Sequence, residues 1–236
     1  MYTAAINFFL PPVCLMCRDL LQDNTAVCAK CWEEIDFITD PFCESCAYPF
    51  SFGEHGHQLK CGACLDAPPS FSKTRAVFKY DHFSKNLILP FKHNKAIHFA
   101  PLLGDWMQRA GKDILQDADL FVPVPLHWTR LLKRGFNQAA VLAKRLEKKS
   151  QIPAKMTILK RIKRTPSQGD LTVQEREKNV ANVFQVLDQH EKLVQGKVVI
   201  LVDDVMTTGA TLNACAKALL RAGAQEVRTL VAARVL

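Results

Sequence analysis

Eight cysteines near the start of the chain fall into four CxxC pairs: Cys14/Cys17, Cys28/Cys31, Cys43/Cys46 and Cys61/Cys64. Two thiolates at this spacing can grip one metal ion, and two such pairs complete the tetrahedral sulfur site that Zn²⁺ occupies in structural centres. Eight ligands therefore imply two zinc ions. Chain proximity favours joining the first pair to the second and the third to the fourth, although an interleaved arrangement satisfies the same count. Redox pairs would need a thioredoxin-like strand and helix around each motif, and none is written here. His55 and His57, between the third and fourth pairs, read as loop residues.

A second concentration of chemistry lies in "VVILVDDVMTTGATL", residues 198 to 212. An apolar run that ends in two carboxylates, hydroxyls and a glycine reads as a buried strand turning into a helix. The helix start offers unpaired N–H groups and a positive dipole end. Gly209 lets the backbone curl closely, and Thr207, Thr208 and Thr211 add hydroxyl donors, so residues 207 to 211, Ala210 included, describe a cradle for a phosphate. Asp203 and Asp204 stand at the carboxyl end of the strand, where ligands of open α/β sheets bind, and can accept from sugar hydroxyls or hold Mg²⁺.

The elements that must position these groups are read from periodicity. Apolar stretches at 75–80, 119–124, 183–187, 197–202 and 226–232 alternate with helical segments near 85–114, 136–149 and 210–222, the rhythm of an α/β fold built on a parallel sheet flanked by helices. In the last helix Leu212, Cys215, Ala216, Leu219 and Leu220 follow the i, i+3, i+4, i+7, i+8 pattern of a core-facing stripe, and Gly223 stops it. Cys215, the ninth cysteine, is thus a packing residue. The polar stretch 160–180 is expected to be a mobile loop.

Charge divides the chain. Residues 1–70 carry 3 Lys/Arg against 9 Asp/Glu, whereas the whole chain has a formal charge of +8. Two units follow, a small Cys-rich double zinc-ribbon domain over 1–68 and the α/β domain over 69–236. The small unit has little core, and each structural zinc contributes about 10 kcal/mol to folding, so chelation is expected to unfold the front and leave the larger unit intact. Its acidity suits docking onto protein better than gripping DNA. The opening apolar segment has no basic leader, and Pro11-Pro12 stop it short of a membrane span, so no membrane span and a cytoplasmic location are expected.

Residues 198 to 212 resemble the phosphoribosyl-pyrophosphate (PRPP) signature of type I phosphoribosyltransferases. The resemblance implies that Asp203 and Asp204 meet the ribose hydroxyls, that residues 207–211 hold the 5′-phosphate, and that Mg²⁺ accompanies PRPP. It also implies a pyrophosphate loop within "FVPVPLHWTRLLKRGFNQA" (121–139), with Leu126, His127, Arg130, Lys133 and Arg134 as candidates, and a hood over the sugar within 160–180, with Arg164, Gln168 and Arg176 as candidates. His127 is more naturally a phosphate contact or rim residue than an acid or base.

Together with the zinc knuckles, "VPVP", "RGFNQA", "RTPSQGDLTVQEREKNV" and "DDVMTTGAT" make the chain similar to the competence protein F family. The resemblance implies a type I phosphoribosyltransferase-like fold and a part in natural transformation, the import of single-stranded DNA. Residues 125–180 hold 14 Lys/Arg against 4 Asp/Glu, a field that would attract a phosphate backbone. Trp128 and Phe136 could stack on bases, with core or rim packing the alternative. Three readings stand side by side: a PRPP-binding competence factor handling single-stranded DNA, a transferase moving phosphoribosyl to an unknown acceptor, and a PRPP-sensing regulator. Protein partners from DNA import or recombination would dock through the zinc unit.

Overall fold

The computed structural model describes residues 11–21, 25–51, 60–93, 96–162 and 183–236. Four strands form a parallel sheet in the order β1-β6-β5-β2: β1 (Thr74–Lys79), β2 (Leu120–Pro123), β5 (Val198–Met206) and β6 (Glu226–Arg234). A parallel sheet is covered on both faces, so its strands are apolar throughout. In β5, Val199 and Leu201 enter the core on one face while Ile200 and Val202 enter the core on the other, and all four are fully buried.

One face is covered by α2 (Ala100–Ala110) and α4 (Gln138–Ser150), preceded by α1 (Lys85–His93) and α3 (Trp128–Arg134). The other is covered by α5 (Ala210–Arg221) and by an antiparallel hairpin of β3 (Leu159–Arg161) and β4 (Phe184–Val186). Leu212, Cys215, Ala216 and Leu219 are buried as the stripe requires, whereas Leu220 is exposed at its rim. Burial, reinforced by the Asp203 charge, pushes the Cys215 thiol well above its ordinary range, in keeping with a packing role.

Two expectations are corrected. Residues 183–187 are not a strand of the parallel sheet, because β4 pairs only with β3; its buried–exposed–buried pattern is that of a hairpin with one solvated face. The single helix expected over 85–114 is broken into α1, a short 3₁₀ turn at Ile97–Phe99, α2 and a last turn at Lys112–Leu115. Pro101 pre-forms the first turn of α2, a position where its missing N–H costs nothing. Of the stretch expected to be a loop, Lys160 and Arg161 belong to β3. Arg164, Gln168, Arg176, His55 and His57 lie outside the described residues.

The cysteine knuckles sit astride the outer edge of β1. Cys14, Val27, Cys31 and Ile35 join the core on the α2 face, and Ile38, Cys43, Cys46, Ala47 and Cys64 join the core on the α5 face. The chain between the two groups crosses the sheet edge. Ile38 N–H donates to Val77 C=O, Lys79 N–H donates to Asp36 C=O, and Phe37 bridges Phe78 antiparallel. An unpaired strand edge invites association with other chains, and here the inter-knuckle segment covers it. Trp32, Phe37, Phe78 and Trp106 form an aromatic cluster with centroids 4.7 to 6.1 Å apart, locking the first knuckle to α2. Among the described residues no helix is long and apolar enough to cross a membrane.

Candidate functional site

The cysteine sites are assembled by local turns. In each site the first amide of the second pair approaches the first thiol of the first pair: Cys28 N–H lies 3.4 Å from Cys14 Sγ, and Cys61 N–H lies 3.3 Å from Cys43 Sγ. Such N–H···S contacts favour the thiolate form that a metal needs. Cys14, Cys17, Cys28 and Cys31 converge on one point and Cys43, Cys46, Cys61 and Cys64 on another, with all sulfurs of a group within 4.8 Å of each other. Sequential pairing is therefore the one observed. Cys17 and Cys28 sulfurs are 3.7 Å apart, and Cys46 and Cys61 sulfurs 3.6 Å. A tetrahedron with metal–sulfur bonds of about 2.3 Å has edges of about 3.8 Å, so both sets fit a structural Zn²⁺.

At the other end of the reading, β5 runs on to Met206, and Asp203 and Asp204 lie within its last turns of pleat rather than beyond them. Asp203 accepts the Asp204 N–H through Oδ1 at 2.8 Å. Burial, reinforced by the Asp204 charge, pushes the Asp203 carboxyl up to about 8. Asp204 is buried, with Lys92 Nζ from α1 at 3.5 Å from Oδ2. The same ammonium lies 6.0 Å from the Tyr80 ring, whose hydroxyl is raised above its ordinary range by burial and by Asp204. Two adjacent carboxyls, one of them pushed up by burial and by its neighbour's charge, are poised for a cation or for hydroxyl donors.

Beyond Met206 the chain turns. Thr207 and Thr208 are exposed, Gly209 is buried, and α5 starts at Ala210, with Thr211 half-buried in its first turn. Gly209 has φ +79°, and a Cβ there would stand 2.7 Å from Met206 Cε. The backbone angle requires glycine, whereas the contact is with the far end of a flexible side chain that can give way. Thr208 Oγ1 accepts from Ala210 N–H at 3.4 Å, and the next amides of the helix start have no partner within the helix.

The "RGFNQA" string now has a residue-by-residue account. The turn after β2 carries half-buried Leu126 and buried His127, whose Nδ1 accepts the Thr129 N–H and so caps α3. Arg134 ends α3, and Gly135 supplies the left-handed residue that closes it. Phe136 packs on Phe91. Asn137 caps α4 and also donates to Val124 C=O, tying the helix start to the end of β2. Gln138 is buried, accepts from Arg134 Nη1 at 3.1 Å and donates to Lys92 C=O at 3.2 Å. Arg134 is thereby held where its charge reaches Asp203, and it lowers that carboxyl against the stronger effect of burial. Arg130 and Lys133 are exposed on α3, away from this network.

The structure thus gathers Asp203, Asp204, the 207–211 turn and Arg134 at one end of the sheet. Lys92, Tyr80 and Gln138 complete the cluster and were missed by sequence reasoning. Lys92 carries no local signal, being one cation at the end of an apolar helix, whereas Gln138 was within a quoted motif. Trp128 is 65% exposed, and Phe136 is packed in the core margin.

Comparison with known proteins fits this geometry. A model of the double zinc ribbon domain matches residues 5–65, and a model of the phosphoribosyl transferase domain matches residues 131–235. "Competence protein F" of Haemophilus influenzae is 30% identical over 227 residues, covering 94% of this chain and 96% of that protein. The chain belongs to the competence protein F family. Within that family, "DNA utilization protein YhgH" of Escherichia coli K12 is 30% identical, covering 96% of this chain and 99% of that one. "Competence protein ComFC" of Bacillus subtilis is 27% identical, with 89% and 90% covered. Among solved structures, an allosteric regulatory enzyme of purine biosynthesis aligns at TM-score 0.37 and 22% identity over 56% of this chain and 25% of its own. The fold of the family member described here rests on its own sheet order and on the two family models.

Proposed function

We propose that the protein binds PRPP with Mg²⁺ at the carboxyl end of β5 and acts in the uptake or use of DNA. The observation that carries the ligand reading is the adjacent Asp203 and Asp204 carboxyls beside a glycine turn that opens a helix, with Asp203 raised by burial and Lys92 and Arg134 close by. One end suits an anion, and the acid pair suits ribose hydroxyls or a hydrated cation. Arg134, fixed by Gln138, is placed to pair with pyrophosphate oxygens, for which a planar guanidinium is well shaped. Leu126 and His127 lie in the turn that leads from β2 into the helix ended by Arg134. The names of the relatives, competence protein and DNA utilization protein, support the cellular role.

Phosphorus NMR tests the ligand. PRPP signals are expected to broaden when protein and Mg²⁺ are added, and unchanged spectra at excess protein would sink the reading. Pyrophosphate accumulating above the blank would identify a transferase and start a search for its acceptor.

Single-stranded DNA is the second ligand, and α3 is the feature that favours it. None of its residues is buried; Trp128 and Leu132 are 65% and 76% exposed, and Arg130 and Lys133 are exposed on the same short helix. An aromatic face among cations is how sequence-tolerant binders hold bases and backbone. Affinity for oligothymidylate is expected to fall with salt. The double change Arg130→Glu, Lys133→Glu should flatten the log–log slope by about 1.4, the loss of two phosphate contacts on a single strand. An unaltered slope would remove α3 from the DNA interface.

A further inference from the structure

The last residue of β6, Arg234, joins two sites that the fold otherwise keeps apart. Its Nε donates to the Cys46 carbonyl at 3.0 Å, and its Nη1 donates to the carbonyls of Thr207 and Val235. Cys46 is a ligand of the second cysteine site, and Thr207 is the first residue of the turn that leads into α5. Only a guanidinium, planar and with donors on both sides of a fork, can hold two such carbonyls from one side chain.

Each end of this clasp has further ties. The knuckle is pinned to β1 by Thr74, whose N–H donates to Glu44 C=O at 2.9 Å and whose hydroxyl donates to Ser45 C=O at 2.6 Å. With Arg234 on Cys46, three successive carbonyls of the metal turn are held by the sheet. On the other side, Val235 N–H donates to Met206 C=O, fixing the end of β5 beside Arg234. Phe71, just after the second cysteine site, lies 3.7 Å from where a Gly209 Cβ would stand, and Ser70 N–H donates to Asn213 of α5 at 2.7 Å. The turn proposed to hold phosphate is thus bound on its lower side to the segment that carries the second metal site.

We propose that Arg234 is a positioning residue for the phosphate turn and that the metal-loaded Cys43/Cys46/Cys61/Cys64 knuckle is the fixed point against which it works. The proposal rests on the PRPP reading of the turn. A metal-bound knuckle keeps the Cys46 carbonyl in place, Arg234 carries that restraint to Thr207, and the helix amides beyond it stay aimed at the ligand. Linkage makes the effect reciprocal: a ligand on the turn must also tighten the knuckle.

Cadmium-113 replacing zinc reports each Cys₄ site as its own resonance. Saturating PRPP with Mg²⁺ is expected to move one of the two signals in the parent protein and neither in Arg234→Gln, while the Kd for PRPP rises about tenfold in the variant. Arg234→Lys, which keeps the charge but not the fork, should behave like Arg234→Gln and guards against a variant that fails to fold. A change that merely weakened the fold would lower the melting temperature yet leave the ligand-induced shift intact. A parent protein that binds PRPP with both signals still, or a variant that shows the parental shift, overturns the proposal. Should the parent bind no PRPP, the ligand reading fails by itself, and the clasp is then judged by zinc transfer to a chromophoric chelator. Transfer faster in Arg234→Gln than in the parent upholds the tie from Arg234 to the knuckle, and equal rates overturn it.

Discussion

Asp203→Asn is expected to raise the melting temperature while lowering PRPP affinity by more than about a hundredfold, the loss of the group proposed to meet both cation and ribose in a desolvated site. The two effects have one cause. Burial and the Asp204 charge hold the Asp203 carboxyl up to about 8, so near neutral pH the unliganded fold carries the cost of a proton it would not bind when unfolded, or of a charge it does not welcome. For an acid whose folded value is raised, the favourable contribution is complete below the ordinary carboxylate range near 4 and is lost as pH rises through about 8. Asparagine cannot ionise and still offers Oδ1 to the Asp204 N–H. The variant should therefore match the parent at pH 4 and exceed it increasingly up to pH 8. A gain of about 1–2 kcal/mol, discounted because the carboxyl is not sealed from water, corresponds to about 3–6 °C in a chain of this size. PRPP·Mg²⁺ binding by the parent should strengthen over the same interval, because the ligand takes the ionised acid. Calorimetric melting and phosphorus NMR at pH 5, 6, 7 and 8 give both curves; a variant no more stable than the parent at pH 8 would refute the account of Asp203 as a strained ligand group. Stability given up for a functional charge is common at binding sites.

How much of this could be read beforehand depends on how local the cause is. The β5–α5 unit was legible because strand, turn and helix stripe are written in consecutive residues, and the burial of Leu212, Cys215, Ala216 and Leu219 follows from spacing alone. The cysteine pairing was legible as a preference, since short loops close more cheaply than long ones. β4 was expected in the parallel sheet and β3 in the polar loop, although Phe184-Gln185-Val186 already alternates in the manner of a half-solvated strand. α3 was invisible to periodicity because it buries nothing; its limits come from His127 as cap and Gly135 as stop. Lys92 and Tyr80 reach Asp204 from more than a hundred residues away, and only the packed sheet brings them there. The same holds for Arg234, which lies at the end of a strand with no motif around it.

Removal of zinc is expected to cost the protein its whole native core in one transition, not the front alone. Sequence composition suggested a separable unit, but the packing argues differently. The segment between the knuckles supplies the hydrogen bonds of the outer edge of β1, and the two knuckles close the hydrophobic cores on both faces of the sheet. Loss of the first knuckle leaves Phe78 and Trp106 facing water where Trp32 and Phe37 had covered them. Loss of the second exposes Phe71 and frees the Arg234 clasp. Each structural zinc is worth about 10 kcal/mol, whereas a domain of this kind has about 5–15 kcal/mol in total, so one vacated site is enough to exhaust the margin if the units are coupled. Chelation with phenanthroline should abolish the near-ultraviolet signal of the tryptophan cluster and the slow hydrogen exchange of β5 amides together. Cys14→Ser and Cys43→Ser should each lower the melting temperature by more than about 15 °C, in the range expected when several kcal/mol are lost from a chain of this length. Slow exchange retained in β5 after the tryptophan signal has gone would mean that the sheet folds without its clip. The knuckles would then be a docking module carried by the sheet; a single transition makes them part of the scaffold that keeps the ligand turn in shape.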